Sequence, residues 1–234
     1  MQEGVAVLIV ENLNLTREAF ALTAAFTLPQ ATRAAIIGPS GGGKSTLLSL
    51  IAGFDTPNTG RILWNDTDLT TQIPGQRPVA MIFQDNNLFP HLDLLTNVAL
   101  GASPQARPSA EARAAAATAL SRVGLSGMET RKPNALSGGQ QSRAALARLI
   151  LTARPVVLMD EPFSALGPAM RAEMLDLVAE LLPEATILMV THDPEDARRF
   201  ADKTIFVDAG VVAAPQDTDV LFASPGTALA AYLR

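Results

Sequence analysis

The sequence predicts an α/β fold built around a mainly parallel sheet, on three observations. Short apolar runs at 5–10, 34–37, 79–83, 156–159, 186–190 and 203–207 lack polar alternation, as expected of strands covered on both faces. Helical patterns stand between several of them, at Lys44–Ala52, Gly138–Leu151, Pro168–Leu182 and Pro194–Ala201. A glycine-rich turn joins the apolar run AAII to the helical stretch KSTLLSLIAG, a strand–loop–helix order with chemical meaning.

The rhythm changes between Gln84 and Pro133. NNLFPHLDLLTNVALG reads as loop and then helix, SPQARPS interrupts, and AEARAAAATALSRVG is an alanine-rich helix, so this stretch is predicted to be an all-helical insertion. The C-terminal segment carries the turn DAGVV and the stretch DVLFASPGTALAAYL, which predict a hairpin followed by short helices. The methionines Met81, Met159 and Met189 fall inside apolar runs and are assigned to the core.

At 234 residues the chain is sized for one α/β domain with a smaller inserted subdomain, and no internal repeat is visible. A net charge of -5 argues against a broad nucleic-acid footprint, so phosphate must be bound locally. The absence of cysteine excludes a disulfide framework or thiolate metal site and fits a reducing compartment. The N-terminus MQEGVAVLIVENL lacks the basic flank of a signal peptide, and no window reaches the roughly 18 apolar residues of a membrane span. Any membrane link is expected to run through a partner.

GPSGGGKS, Gly38–Ser45, matches the phosphate-loop pattern G-x-x-x-x-G-K-[ST], with Thr46 following. In the loop Gly38, Pro39, Ser40, Gly41, Gly42 and Gly43 the glycines would let successive backbone N–H groups, which Pro39 alone lacks, turn toward a polyphosphate at a helix N-terminus. Lys44 can reach the β- and γ-phosphates, and Ser45 offers a hydroxyl to Mg²⁺. The expected ligand is therefore a nucleotide with Mg²⁺, which the family resemblance below narrows to ATP.

A second glycine turn, LSGGQ, precedes the amphipathic helix QSRAALARLIL but has neither a preceding strand nor a lysine. Alone, Ser137, Gly138, Gly139 and Gln140 would be a helix cap with free N–H donors. Further along, the apolar strand VVLMDEP ends in Asp160 and Glu161. GPSGGGKST, IFQ with Gln84, LSGGQ, VVLMDEP and VTH with His192 follow in that order, and together they resemble the ATP-binding cassette (ABC) ATPases over nearly the whole chain.

The resemblance implies an N-terminal antiparallel β portion, a core at about 1–84 and 134–234, and a helical subdomain at about 85–133 extending into the signature helix. It implies that Ser137–Gln140 complete the nucleotide site of a second copy, giving an ATP-dependent homodimer. Asp160 and Gln84 would join Ser45 around Mg²⁺, Glu161 would polarise the attacking water, and His192 would contact the γ-phosphate.

Two departures stand out. Where the family reads SALD this chain reads SALG, with Gly167 at the loop that normally touches the partner copy. Where an aromatic usually stacks on adenine the chain has Leu15 and Arg17, leaving Arg17 by its guanidinium plane or Phe20 as candidates.

An ATPase without a membrane span resembles bacterial importers whose permease is a separate chain, placing it on the cytoplasmic face of the inner membrane with a periplasmic substrate-binding protein as an indirect partner. LSLIAGFDTPNTG, QRPVAMIFQDNNLFPHL and DEPFSALGPAMRAEMLDLV resemble the thiamine-importer class; importers of polyamine, iron or sulfate type and non-transport ABC ATPases are the alternatives. The permease is expected near Gln84–Leu92, where Phe89 and Leu92 either form an apolar groove for it or pack the helical subdomain.

Overall fold

The computed structural model describes residues 7–18, 20–105 and 107–233. Val5 and Ala6 of the first predicted strand, and the first six residues of the N-terminus read against a signal peptide, lie outside them. In chain order the elements are β1 (Val7–Arg17), β2 (Phe20–Pro29), β3 (Arg33–Ile37), α1 (Lys44–Ala52), β4 (Thr59–Trp64), β5 (Thr67–Asp68) and β6 (Val79–Ile82). Then follow α2 (Leu94–Ala99), α3 (Ala110–Arg122), α4 (Gly138–Leu151), β7 (Val156–Asp160), α5 (Pro168–Leu181), β8 (Thr186–Val190) and α6 (Pro194–Phe200). The chain continues through β9 (Lys203–Asp208), β10 (Val211–Val212), β11 (Gln216–Asp217), α7 (Thr218–Ala223) and α8 (Thr227–Tyr232).

These elements form two compact units: Met1–Val79, Pro155–Asp160 and Glu184–Arg234 in the first, Ala80–Arg154 and Glu161–Pro183 in the second. The first unit is a sheet with two characters. On one side β5, β4, β1 and β2 pair antiparallel. On the other, β9, β3, β8 and β7 run parallel, and β10 joins the halves by pairing parallel to β2 and antiparallel to β9.

Residue type follows from coverage. In β2 the residues Leu22, Ala24, Phe26 and Leu28 are buried while their neighbours are exposed, the period of two expected of a strand covered on one face. In β3, β7 and β8 nearly every residue is buried, because helices such as α1 and α6 lie against strands that also face inward. Met159 and Met189 lie in this core, whereas Met81 in β6 is half-buried.

The predicted hairpin forms between β9 and β10. Val211 pairs with Asp208, so Ala209 and Gly210 make a two-residue turn with φ of 46° and 78°, the combination a right-twisted hairpin favours. A Cβ on Gly210 would lie 1.8 Å from the Ala21 carbonyl oxygen, so the site requires glycine.

The second unit packs α2, α3 and α4 together and α4 on α5. Alanines on α3 supply its buried face, with Ala112, Ala116, Ala119 and Leu120 turned inward. Its start is set by Ser109, whose Oγ accepts from the Ala112 N–H at 3.2 Å, and α2 is capped by Asp93 in the same way. The loop before α2 is held by fully buried Asn97, which accepts from the Phe89 N–H at 2.7 Å and donates to the Phe89 and Asp93 carbonyls at 3.0 Å.

Candidate nucleotide site

In the first unit the strands β3, β8 and β7 are adjacent and parallel, with Ile36 opposite Val190 and Val190 opposite Asp160. Their C-terminal ends therefore lie in a row. From them emerge the loop Gly38–Gly43, His192 and Asp160, and the carboxyl ends of parallel strands are where α/β sheets bind ligands.

The loop is shaped by backbone demands that glycine alone meets. Gly38 adopts φ 145°, and a Cβ there would sit 1.9 Å from the Val207 carbonyl oxygen of β9. Gly43, at φ 110°, is the N-cap of α1 without a side-chain cap bond, so the first-turn N–H groups of that helix are left for an anion. The Gly42 N–H donates to the Pro39 carbonyl at 3.2 Å and the Gly42 carbonyl accepts from Gly210 at 3.0 Å, closing the loop on the hairpin turn.

Lys44 is only 8% exposed, and its ammonium donates to the Gly38 and Pro39 carbonyls at 2.8 and 2.9 Å. A buried cation bonded to neutral carbonyl acceptors is well placed to exchange them for phosphate oxygens. Ser45 Oγ lies 3.0 Å from Asp160 Oδ1. Hydroxyl and carboxylate oxygens suit a hard cation, and the described residues include no group of three or more His, Cys, Asp or Glu side chains able to hold a metal unaided. The arrangement thus fits Mg²⁺ completed by phosphate oxygens and water.

The chain around His192 is held on both sides. Thr191 N–H donates to the Ile36 carbonyl at 3.2 Å and its hydroxyl to Asp196 Oδ2 at 2.9 Å, while Asp193 caps α6 by accepting from Glu195 N–H at 3.0 Å. Of the two adenine candidates, Arg17 is tied to Asp55 at 2.8 Å, whereas Phe20 stands beside the phosphate loop: a Cβ on Gly43 would be 3.1 Å from its Cζ. Leu15 is buried in the sheet.

Gln84, Ser137–Gln140 and Glu161 belong to the second unit. Ser137 forms a reciprocal capping box on α4: its Oγ accepts from Gln140 N–H at 3.3 Å and Gln140 Oε1 accepts from Ser137 N–H at 3.0 Å. Ser137 and Gly138 are exposed, and Gly139 is covered by the Met170 side chain. Glu161 has φ 46°, a left-handed conformation that costs a non-glycine residue about 1–3 kcal/mol and clusters at functional sites.

Gln84 opens an exposed turn in which Asn86 and Asn87 are both left-handed, at φ 57° and 46°. Arg148 of α4 donates to both their carbonyls, at 2.9 and 2.7 Å, and burial lowers the pKa of its guanidinium. The helix that begins with the signature turn therefore also clamps the turn after Gln84. Sequence reasoning missed Arg148, because its acceptors are backbone carbonyls.

Residues 22–164 match the family described as ABC transporter. The thiamine import ATP-binding protein of Cereibacter sphaeroides is 58% identical over 226 residues, covering 96% of this chain and 98% of that protein. Its counterpart in a Ruegeria species is 51% identical over the same shares. Two solved ATP-binding cassettes of ABC transporters share the fold: a nucleotide-free one at TM-score 0.83 and 24% identity, covering 94% of this chain and 96% of that one, and one in its ADP conformation at 0.85 and 23%, covering 97% and 98%. The mixed α/β architecture, with its mostly parallel sheet and antiparallel N-terminal portion, is that of the ABC ATPases. With the family matched across most of its length and relatives above half identity, the chain belongs to the ABC transporter family, among its ATP-hydrolysing subunits.

Proposed function

We propose that this chain is the motor subunit of a bacterial thiamine importer. The observation that carries the reading is 58% identity to a thiamine import ATP-binding protein over 96% of the chain, with further relatives of the same name at 51% and 50%. That pattern favours thiamine over polyamine, iron or sulfate cargo.

In this reading N–H groups of the loop Gly38–Thr46, all but the missing one of Pro39, cradle the phosphates and Lys44 neutralises the β- and γ-groups. Ser45, Asp160 and Gln84 hold Mg²⁺, which supplies charge neutralisation on the phosphate oxygens when bound. Glu161 accepts a proton from the attacking water, and His192 holds the γ-phosphate in line. Phe20 faces the adenine. Ser137–Gln140 serve the site of a second copy, so donors from two bodies converge on one anion and closure depends on the γ-phosphate. Hydrolysis removes that attraction, and the halves part.

The motion is passed to a separate permease that docks near Gln84–Leu92, where Phe89 is 45% exposed on a loop pinned by Asn97. A periplasmic binding protein delivers the cargo from the other side, and this chain works at the inner face of the membrane. Among the described residues no helix is long and apolar enough to cross a membrane.

The test joins two measurements. Glu161→Gln with MgATP should form a stable dimer that does not turn over, and the wild-type chain assembled with its permease should drive ATP-dependent thiamine uptake. Monomers at saturating MgATP would sink the split-site mechanism. An assembled complex that hydrolyses ATP but moves another solute would sink the cargo.

A further inference from the structure

We propose that Tyr232, on the last helix, is a positioning residue for His192. Its hydroxyl donates to the main-chain carbonyl of His192 at 3.1 Å, and its ring rests against Phe206 with centroids 6.0 Å apart and planes tilted by 55°. The proposal rests on the reading of His192 as the group that holds the γ-phosphate.

Three strands meet under this contact. Phe206, on β9, pairs with Ile37, the residue immediately before the phosphate loop. His192 follows β8, whose Val190 pairs with Ile36 on the same strand β3. Tyr232 thus bridges the tips of β9 and β8, the two strands that flank the strand carrying the phosphate loop. The helix itself is anchored rather than dangling: Leu229 of α8 is 3% exposed, and α7 before it buries Leu221 and Phe222, with the Arg198 guanidinium 4.4 Å over the Phe222 ring.

The atom that Tyr232 grips matters. Backbone bonds at Thr191 and Asp193 fix the chain on either side of His192. The His192 carbonyl orientation is set by the ψ angle of that residue, and ψ in turn limits which rotamers the imidazole can adopt. A phenol on this oxygen therefore selects among imidazole placements without touching the ring or the nucleotide. One exposed hydrogen bond shifts such an equilibrium by about fivefold. The pattern was invisible in the sequence, because a single tyrosine far from every motif has no spacing to betray it.

Tyr232→Phe removes the hydroxyl and keeps the ring on Phe206. In steady-state ATP hydrolysis by the full-length chain with MgATP, it should lower kcat by about three- to tenfold while leaving KM for ATP and the melting temperature unchanged. Tyr232→Ala should lower kcat at least as far and also lower the melting temperature, since the ring contact goes as well. His192→Ala is measured alongside as the reference. If His192→Ala is inert and Tyr232→Phe turns over like wild type, the proposal is overturned while the reading of His192 stands. A Tyr232→Phe chain whose kcat falls together with weaker ATP binding and a lower melting temperature overturns it too, by making the hydroxyl a general stabiliser. A His192→Ala chain as fast as wild type overturns the reading of His192 and this proposal with it.

Discussion

Ser45 Oγ and Asp160 Oδ1 stand 3.0 Å apart, joining the first turn of α1 to the end of β7. Two oxygens at that separation, one of them charged, would supply part of the proposed Mg²⁺ site, the rest coming from phosphate and water. Asp160→Asn keeps the size and the hydrogen bond but removes the charge. It should lower ATP turnover by about 100-fold, the scale of losing one electrostatic stabiliser in a phosphoryl-transfer site, and raise the Mg²⁺ concentration needed for half-maximal rate. A Mg²⁺ titration of phosphate release checks both; an unshifted Mg²⁺ dependence would remove Asp160 from the metal.

Gly167 is an N-cap without a capping side chain. It begins α5 at φ -65° and ψ 158°, an ordinary extended conformation, Pro168 follows at the first helical position, and a Cβ would meet nothing within 4 Å. Gly167→Asp should therefore fit without strain, accept a bond from the first turn and add negative charge at the helix N-terminus. The expected gain is about 0.5 kcal/mol, read as a higher urea midpoint at unchanged slope. A lower midpoint would mean that the loop needs glycine in a conformation other than this one.

Arg33 and Asp202 tie the start of β3 to the chain before β9. Asp202 accepts from Arg33 Nη2 at 2.9 Å, Arg33 Nε at 3.3 Å and the Arg33 N–H at 3.0 Å. Burial pushes the Asp202 carboxyl up, but the bonds and charge of Arg33 outweigh it and hold the pKa below the usual range. A depressed carboxylate adds stability above its unfolded pKa of about 3.9 and loses it as pH falls through the lower folded value. Because the pair is partly exposed, Asp202→Asn should cost only about 1 kcal/mol at pH 7. The difference between wild type and variant should shrink as pH drops below about 4, measured by denaturation at several pH values. A gap that persists at pH 2 would assign the effect to packing.

The parallel half of the sheet was legible because burial on both faces leaves a plain mark. VVLM and ILMV are unbroken apolar runs, and they lie in β7 and β8. The phosphate loop was legible because Gly38 and Gly43 need backbone angles that few other residues adopt. The antiparallel portion was expected only from family resemblance: in FALTAAFTLP the exposed face is alanine and threonine, too mild a contrast to announce a strand. Phe20 is one of two adenine candidates in the sequence, and its place beside Gly43 in the phosphate loop is visible only in three dimensions. Arg148 stayed hidden for another reason. It binds main-chain oxygens, which every residue owns, so no second side chain marks the partnership.

Arg77 likewise binds main-chain oxygens, but as a fully buried cation of the first unit. It is 1% exposed and donates to the Leu50 and Ile51 carbonyls at 2.7 and 2.9 Å, the Gln72 carbonyl at 2.9 Å and the Thr70 carbonyl at 3.1 Å. Two of these end α1, so the guanidinium satisfies terminal carbonyls and meets the negative end of the helix dipole. Burial lowers its pKa, partly offset by Asp68, yet a guanidinium remains charged at any working pH. Gly53 makes room: at φ 88° a Cβ would come within 2.5 Å of Arg77 Nε. Arg77→Met fills the space but takes a donor from four carbonyls, of which Leu50's keeps the Gly53 N–H at 3.3 Å; it should destabilise by about 3 kcal/mol and lower the melting temperature by about 6–12 °C. Arg77→Lys keeps the charge but cannot reach both segments with one nitrogen, so it should fall between the two. Since α1 holds Lys44 and Ser45 at its other end, ATP affinity in Arg77→Met should weaken at temperatures where the protein is still folded. Chemical denaturation and nucleotide titration at 25 °C check the two effects separately, and a Met variant within 0.5 kcal/mol of wild type would show that solvent reaches those carbonyls after all.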